Sequence, residues 1–210
     1  VASIKDADYY IPLGDLPFYF RKSRDAFPRQ PYLRSDPQRV AYWRSELARC
    51  GPAPYIGVSW KGGTSGTRAP VRSLDPSMLM PIAHAAPATW INLQYGKVED
   101  GLAAFAAGNV PLHHWPEAIA DLDEFAALIA ALDGVVTACN TTVHYAGALG
   151  QKVWILAPKI PEWRYGVSSD SMPWYADATV YRQPEFDDWA SVVREIAEVV
   201  RSNFGKPFDK

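Results

Sequence analysis

Residues 134–158 read GVVTACNTTVHYAGALGQKVWILAP, and they constrain the fold more than any other stretch. Residues 134–138 are a short apolar run of the kind that forms a buried parallel strand. Cys139 and Asn140 turn the chain, and Asn140, Thr141 and Thr142 are helix-capping residue types. Residues 143–149 predict a helix of small residues stopped by Gly150. Residues 152–157 predict the next buried strand, closed by Pro158. Two buried strands joined by a crossover helix make a parallel βαβ unit. In such sheets ligands bind beyond the carboxyl ends of the strands. A helix N-terminus there offers unpaired N–H groups and a positive dipole end to a phosphate. Asn-Thr-Thr also caps helices that bind nothing, so spacing alone leaves both readings open. His144 falls in the first helical turn, where the dipole disfavours an imidazolium and predicts a neutral ring. A lone histidine there can equally be a packing residue.

The rest of the chain repeats the strand–helix alternation. Residues 1–36 hold scattered aromatics, and 11–37 carry five prolines, which predicts an extended arm lying across something else. Asp36-Pro37 opens a helix with Val40, Trp43 and Leu47 as its apolar stripe, ended by Gly51-Pro52. Residues 55–60, YIGVSW, predict the first strand. It runs into KGGTSGTRAPVRS, a loop with three glycines that also carries Lys61, Arg68 and Arg72. Such a loop can bring backbone N–H groups to an anion, but it is neither a Walker loop nor G-x-G-x-x-G. A flexible surface loop is the plainer alternative. Ser73 or Asp75 caps a helix running to about residue 85, kinked or split at Pro81. Residues 89–94 predict a strand, 101–107 a helix and 109–113 a further strand with His113, His114 and Trp115 at its exit. No second cluster supports metal at that histidine pair, so no metal site is assigned. Asp121 and Glu124 form a capping box ahead of an amphipathic helix over 122–132. The aromatic segment 159–178 is too long for a simple connection. Residues 179–183 predict the last strand, and Asp187-Asp188 cap a final helix over 189–200. The tally is about five strands alternating with helices: an α/β, doubly wound, Rossmann-like parallel sheet. Its candidate site residues fall on loops that follow strands.

Composition removes several function classes. Formal net charge is −2 with no long basic run, so nucleic acid has no electrostatic attraction to this chain. Cys50 and Cys139 lie too far apart to suggest a disulfide framework or a zinc site. No apolar run approaches the roughly 20 residues of a membrane span. The first residues lack the regions of a signal peptide, which leads to an expectation of a cytoplasmic location. The chain starts without Met, so it is expected to be a piece of a longer protein. Eight Trp and eleven Tyr are many for 210 residues, and aromatics at that density line sugar or base pockets as well as cores.

The chain resembles the C-terminal half of a GT-B glycosyltransferase. The likeness lies in IGVSWKGG, VRSLDP, INLQYG, the run DLDEFAALIAALDGVVTACNTTVHYAGALGQKVWIL, PEWRYG, SMPWY and VYRQ, with IPLGDLPFYF and YLRSDPQRVAYW ahead of them. It is similar to the heptosyltransferase-related, glycosyltransferase family 9-like domain that follows tetratricopeptide repeats in bacterial proteins. That resemblance implies a nucleotide-sugar donor-binding domain over residues 53–204. Residues 1–52 would then be a linker arm and helix, the tail of a missing N-terminal domain. It implies inverting transfer from a nucleotide-diphosphate sugar to an unknown glycan or protein acceptor, with no cofactor, no bound metal and no membrane span. Carried over by position, Ser59, Lys61, Gly62, Gly63 and Arg72 would approach the diphosphate, with Asn140, Thr141 and Thr142 at the helix N-terminus. His144 matches the histidine of the family's D-T-x-x-x-H pattern. The aspartate of that pattern falls on Cys139 and the threonine on Asn140. Gln94 and Tyr95 would lie near the base or ribose, and Trp163 and Arg164 near the sugar. Asp170 and Glu162 lie in the long loop as candidate bases, and neither is assigned. The exchange at Cys139 keeps a second class in view: a degenerate, non-catalytic domain that binds a nucleotide or a protein. An oxidoreductase has no dinucleotide fingerprint to support it.

Overall fold

The computed structural model describes residues 8–205. Its centre is a six-stranded, wholly parallel sheet in the order β3-β2-β1-β4-β5-β6. The strands are β1 (Tyr55–Ser59), β2 (Thr89–Asn92), β3 (Leu112–His113), β4 (Gly134–Ala138), β5 (Val153–Ala157) and β6 (Ala178–Arg182). All six segments named as strands from the sequence form, but the third, expected over residues 109–113, is the shortest. That strand is two residues long because Asn109 takes a left-handed backbone, φ 55°, and delays the pairing.

Strand residues alternate between two cores. Ile91, Val135, Val153 and Ile155 face one layer, built on α2 (Pro37–Cys50), α5 (Pro116–Ala120), α6 (Leu122–Ala130) and α7 (Thr141–Ala148). Ile56, Val58, Trp90, Val136 and Leu156 face the other, with α3 (Met80–Ala83), α4 (Glu99–Ala107) and α8 (Trp189–Phe204). Burial on both faces accounts for the continuous apolar runs of the central strands.

Several caps decide where helices start. Asp36 accepts from Gln38 N at the head of α2, at 2.8 Å. Asp75, and not Ser73, caps the next segment through Ser77 N. Pro81 splits that segment into a 3-10 turn, Pro76–Leu79, and the single turn of α3. Asp121 accepts from Asp123 N and Glu124 N. Glu124 does not close the predicted box. Its carboxylate takes Arg39 Nε at 2.7 Å and Trp43 Nε1 at 2.9 Å, tying α6 to α2. Tertiary partners outcompete the local cap here.

The arm is draped and fastened. From residue 8 it carries α1 (Leu16–Phe20) between single 3-10 turns, with Tyr9, Phe18 and Phe20 exposed. Tyr32 N and Leu33 N both donate to Ala148 O at the end of α7. Arg24 donates to Ser169 Oγ and Ser171 O, and Arg29 to Ala176 O. The arm is therefore bound to the long segment between β5 and β6, which buries Tyr165, Met172 and Tyr175 in the first core.

Close packing of α4 on the first loop gives a direct stability prediction. A Cβ on Gly101 would lie 2.0 Å from Trp60 Cζ2, inside a fully buried indole. Alanine favours a helix interior over glycine by about 1 kcal/mol. Overpacking of a rigid ring costs about 1–3 kcal/mol, and at this separation the upper part of that range applies. Gly101→Ala should therefore lower unfolding free energy by about 1–2 kcal/mol in urea titration.

Candidate functional site

The strand order reverses between β1 and β4, and the crevice at such a switch point is where open α/β sheets bind ligands. β1 continues into the glycine loop, and β4 into Cys139, Asn140 and α7. Asn140 joins the two exits. Its Oδ1 accepts from Thr142 N at 2.9 Å and from Thr137 Oγ1 at 3.1 Å. Its Nδ2 donates to Ser59 Oγ at 2.8 Å and to Lys61 O at 3.0 Å. Ser59 and Thr137 hydroxyls lie 2.6 Å apart, so Asn140, Ser59 and Thr137 close a ring of hydrogen bonds. A proton order of Asn140 to Ser59 to Thr137 and back to Asn140 satisfies all three. Every polar atom of the Asn140 side chain is thus used, at 4% exposure.

The glycine loop is held against that turn. A Cβ on Gly62 would lie 2.5 Å from Cys139 O, so only glycine permits this approach. Gly63 follows with φ +79°. Arg72 comes back over the loop: Nη1 donates to Thr67 O at 3.2 Å and Nη2 donates to Cys139 O. Its Nε lies 2.7 Å from Glu162 Oε1.

These parts border an open cleft of about 980 Å³. Of the sequence-derived residues, Gly63, Arg72, Tyr95, Asn140, Thr141, His144, Trp163 and Arg164 line it. Ser59, Lys61, Gly62, Gln94 and Thr142 are not on its wall. Ser59 and Thr142 are buried beneath the turn. Gln94 is buried too, and its Oε1 receives Trp60 N and Lys61 N. Lys61 Nζ is spent on Asp100 at 2.5 Å. Ser59 and Gln94 spend polar atoms on the turn and the start of the loop, and Lys61 O receives Asn140 Nδ2, where the resemblance had placed these residues toward the ligand. The histidine pair is likewise committed: His114 Nδ1 receives Asn92 Nδ2 at 2.9 Å, and the His113 ring stacks on Trp115.

Sequence reading missed Tyr32, Thr64, Trp174 and Tyr175 on the cleft wall, as well as the α1 end of the arm. Tyr175 lies 3.1 Å from His144 Nδ1 and 3.2 Å from the Tyr32 hydroxyl. The signal available was the long SMPWY-bearing loop, whose aromatics exceed what a connection needs.

His144 is neutral, as the sequence predicts, but burial is the first cause. Desolvation, then Arg164 and Arg72, hold its pKa down to about 4 from 6.5. The unfolded chain therefore carries the extra proton between those values. Stability should fall through this group as pH drops from 6.5 to 4, by up to about 3 kcal/mol, and be unaffected by it above 6.5. An NMR titration should find the imidazole midpoint near pH 4. A midpoint near 6.5 would show that the ring is open to water.

Cys139, where the resemblance would place an aspartate, is fully buried with Sγ 3.7 Å from Leu156 O. Burial pushes its thiol well above the usual range, so it is neither nucleophile nor anion.

No family model matches the chain. Protein FlbA of Caulobacter vibrioides is 34% identical over 201 residues, a match covering 92% of this chain and 33% of FlbA. The chain thus spans about a third of that relative's length. Among solved structures, the ADP-heptose lps heptosyltransferase II of E. coli superposes with a TM-score of 0.60 at 18% identity. That match covers 88% of this chain and 58% of the other. A glycosyltransferase family 9 structure from Veillonella parvula gives 0.59 at 11% identity, over 85% and 56%. The chain has the Rossmann-like α/β fold of these glycosyltransferase structures. Among the described residues, no helix is long and apolar enough to cross a membrane.

Proposed function

We propose that the chain is the nucleotide-sugar donor-binding half of a bacterial glycosyltransferase, with residues 53–204 as the donor unit. The observation that carries this reading is convergence at the switch point. The N-terminus of α7, the Gly63 turn and the Arg72 guanidinium border one cleft, as a diphosphate would require. Aromatic side chains extend the same wall, offering faces to a base or sugar ring. In this reading no cofactor is needed. Arg72 and the α7 amides offset the charge of the leaving diphosphate, where one such contact supplies roughly 3 kcal/mol. The acceptor, a glycan or protein, and the activating base would come from other parts of the full-length polypeptide. An N-terminal domain and tetratricopeptide repeats are the expected neighbours, and the cytoplasm the expected location.

A second reading, a module that binds donor or partner without chemistry, is favoured by Cys139. An inert thiol stands where the resemblance calls for a carboxylate. Donor turnover by the full-length protein separates the two. Release of nucleoside diphosphate from a nucleotide sugar, lost in Arg72→Gln, supports transfer. Saturable donor binding with no release supports the module. A protein that neither binds nor turns over any nucleotide sugar contradicts transfer and donor binding alike, and leaves only the partner-binding form of the module.

A further inference from the structure

One wall of the cleft has features that a diphosphate does not explain. Three arginines line the cleft, Arg21, Arg72 and Arg164, and no Asp or Glu does among the described residues. The chain as a whole is slightly acidic, so this bias is local. Arg72 has Glu162 as its counter-ion. Arg21 and Arg164 have no carboxylate within 4.0 Å among the described residues.

Those two cations bound an aromatic ladder. Arg21 lies over the Phe27 ring at 5.8 Å, and Phe27 meets Trp174 edge-on at 4.8 Å. Trp174 meets Trp163 edge-on at 6.0 Å, and Arg164 lies over Trp163 at 5.0 Å. The ladder crosses from the arm to the segment between β5 and β6, the same two pieces that Arg24 ties to Ser169 and Ser171. It is a built wall, yet Trp163 stays 59% exposed.

Aromatic faces suit the C–H face of a sugar ring. Sugar hydroxyls alone would be met by carboxylates and amides, and this wall has none. Guanidinium forks match a carboxylate or phosphate through paired charge-assisted hydrogen bonds. We propose that this wall is a subsite for an anionic sugar, its ring on Trp163 and Trp174 and its acid group met by the arginine at one end of the ladder, Arg21 or Arg164. The inference deepens the donor-binding reading and rests on it for the polarity of the cleft. The acidic sugar is the donor's own or the acceptor's, and both share this chemistry.

The chain is titrated with glucuronate and glucose 6-phosphate, with glucose, and with acetate and inorganic phosphate. The indole N–H resonances of Trp163 and Trp174 report binding. Both anionic hexoses should shift the two indoles and saturate. Glucose and the ring-free anions should bind at least about tenfold more weakly. Arg21→Gln or Arg164→Gln, whichever removes the end that holds the acid group, should weaken the anionic hexoses about tenfold, with partial recovery in the matching lysine variant. A preference for UDP-glucuronate over UDP-glucose assigns the acid group to the donor. An anionic hexose that still binds beside a saturating nucleoside diphosphate assigns it to the acceptor. Equal binding of glucose overturns the proposal, as does equal binding of acetate or phosphate, or indifference to both arginine replacements. The two readings fail separately: absent nucleoside diphosphate binding counts against the donor site, and absent acid selectivity against this subsite.

Discussion

Asn140→Ala is expected to lower the unfolding free energy by about 3 kcal/mol, the largest stability loss foreseen for a single side chain near the cleft. Removing an N-cap costs about 0.5–2 kcal/mol. Asn140 is more than a cap, because its Nδ2 also satisfies Ser59 Oγ and Lys61 O across the switch point. Losing it strands buried groups, each at about 1–3 kcal/mol when no water replaces the partner. These costs overlap in one network and do not add. For a chain of this size the midpoint should fall by roughly 6–12 °C. Asn140→Asp is the informative companion. It keeps the cap acceptor for Thr142 N but sets a carboxylate against Lys61 O, which it can no longer serve as donor. If the cap alone mattered, Asn140→Asp would be as stable as the parent; the ring of hydrogen bonds predicts a loss for both.

Arg72→Gln should weaken nucleoside diphosphate binding about 10- to 100-fold, the loss of a charge-assisted contact. It should also destabilise the protein, because Glu162 loses its cation and Cys139 O its donor. Fully buried pairs cost about 3–5 kcal/mol when one partner is removed. The side chains here are 14% and 25% exposed, so solvent relieves part of that, leaving about 2 kcal/mol. The double variant Arg72→Gln/Glu162→Gln isolates the two effects. It removes the stranded carboxylate, so stability should largely return while binding stays weak. Binding that recovers with stability would mean that Arg72 only supports the loop.

The sheet was legible because each central strand is an apolar run with a capped helix after it, as in residues 134–158. Asn140 was legible as a cap and illegible as a bridge, since its partners Ser59 and Lys61 lie some 80 positions away. The same limit governs the charges. Lys61 and Arg72 stand in one glycine loop, and only the fold sends Lys61 to Asp100 and leaves Arg72 on the cleft wall. The arm was expected to lie across something unspecified; from residue 8 it lies on this domain itself, and residues 1–7 of that expectation fall outside the described residues. Its docking on Tyr175 and Trp174 depends on side chains that carry no local periodicity.

A nucleotide diphosphate held at the start of α7 would be seen by amide NMR. ADP, UDP, GDP and CDP are titrated into the labelled chain, and the amides of Gly63, Thr64 and Thr141 are followed. At least one of the four should shift these three amides together and saturably. A thermal stabilisation of about 2.7 kcal/mol should accompany 100-fold excess over its dissociation constant. Saturable shifts confined to other residues, or none with any nucleotide, would contradict it.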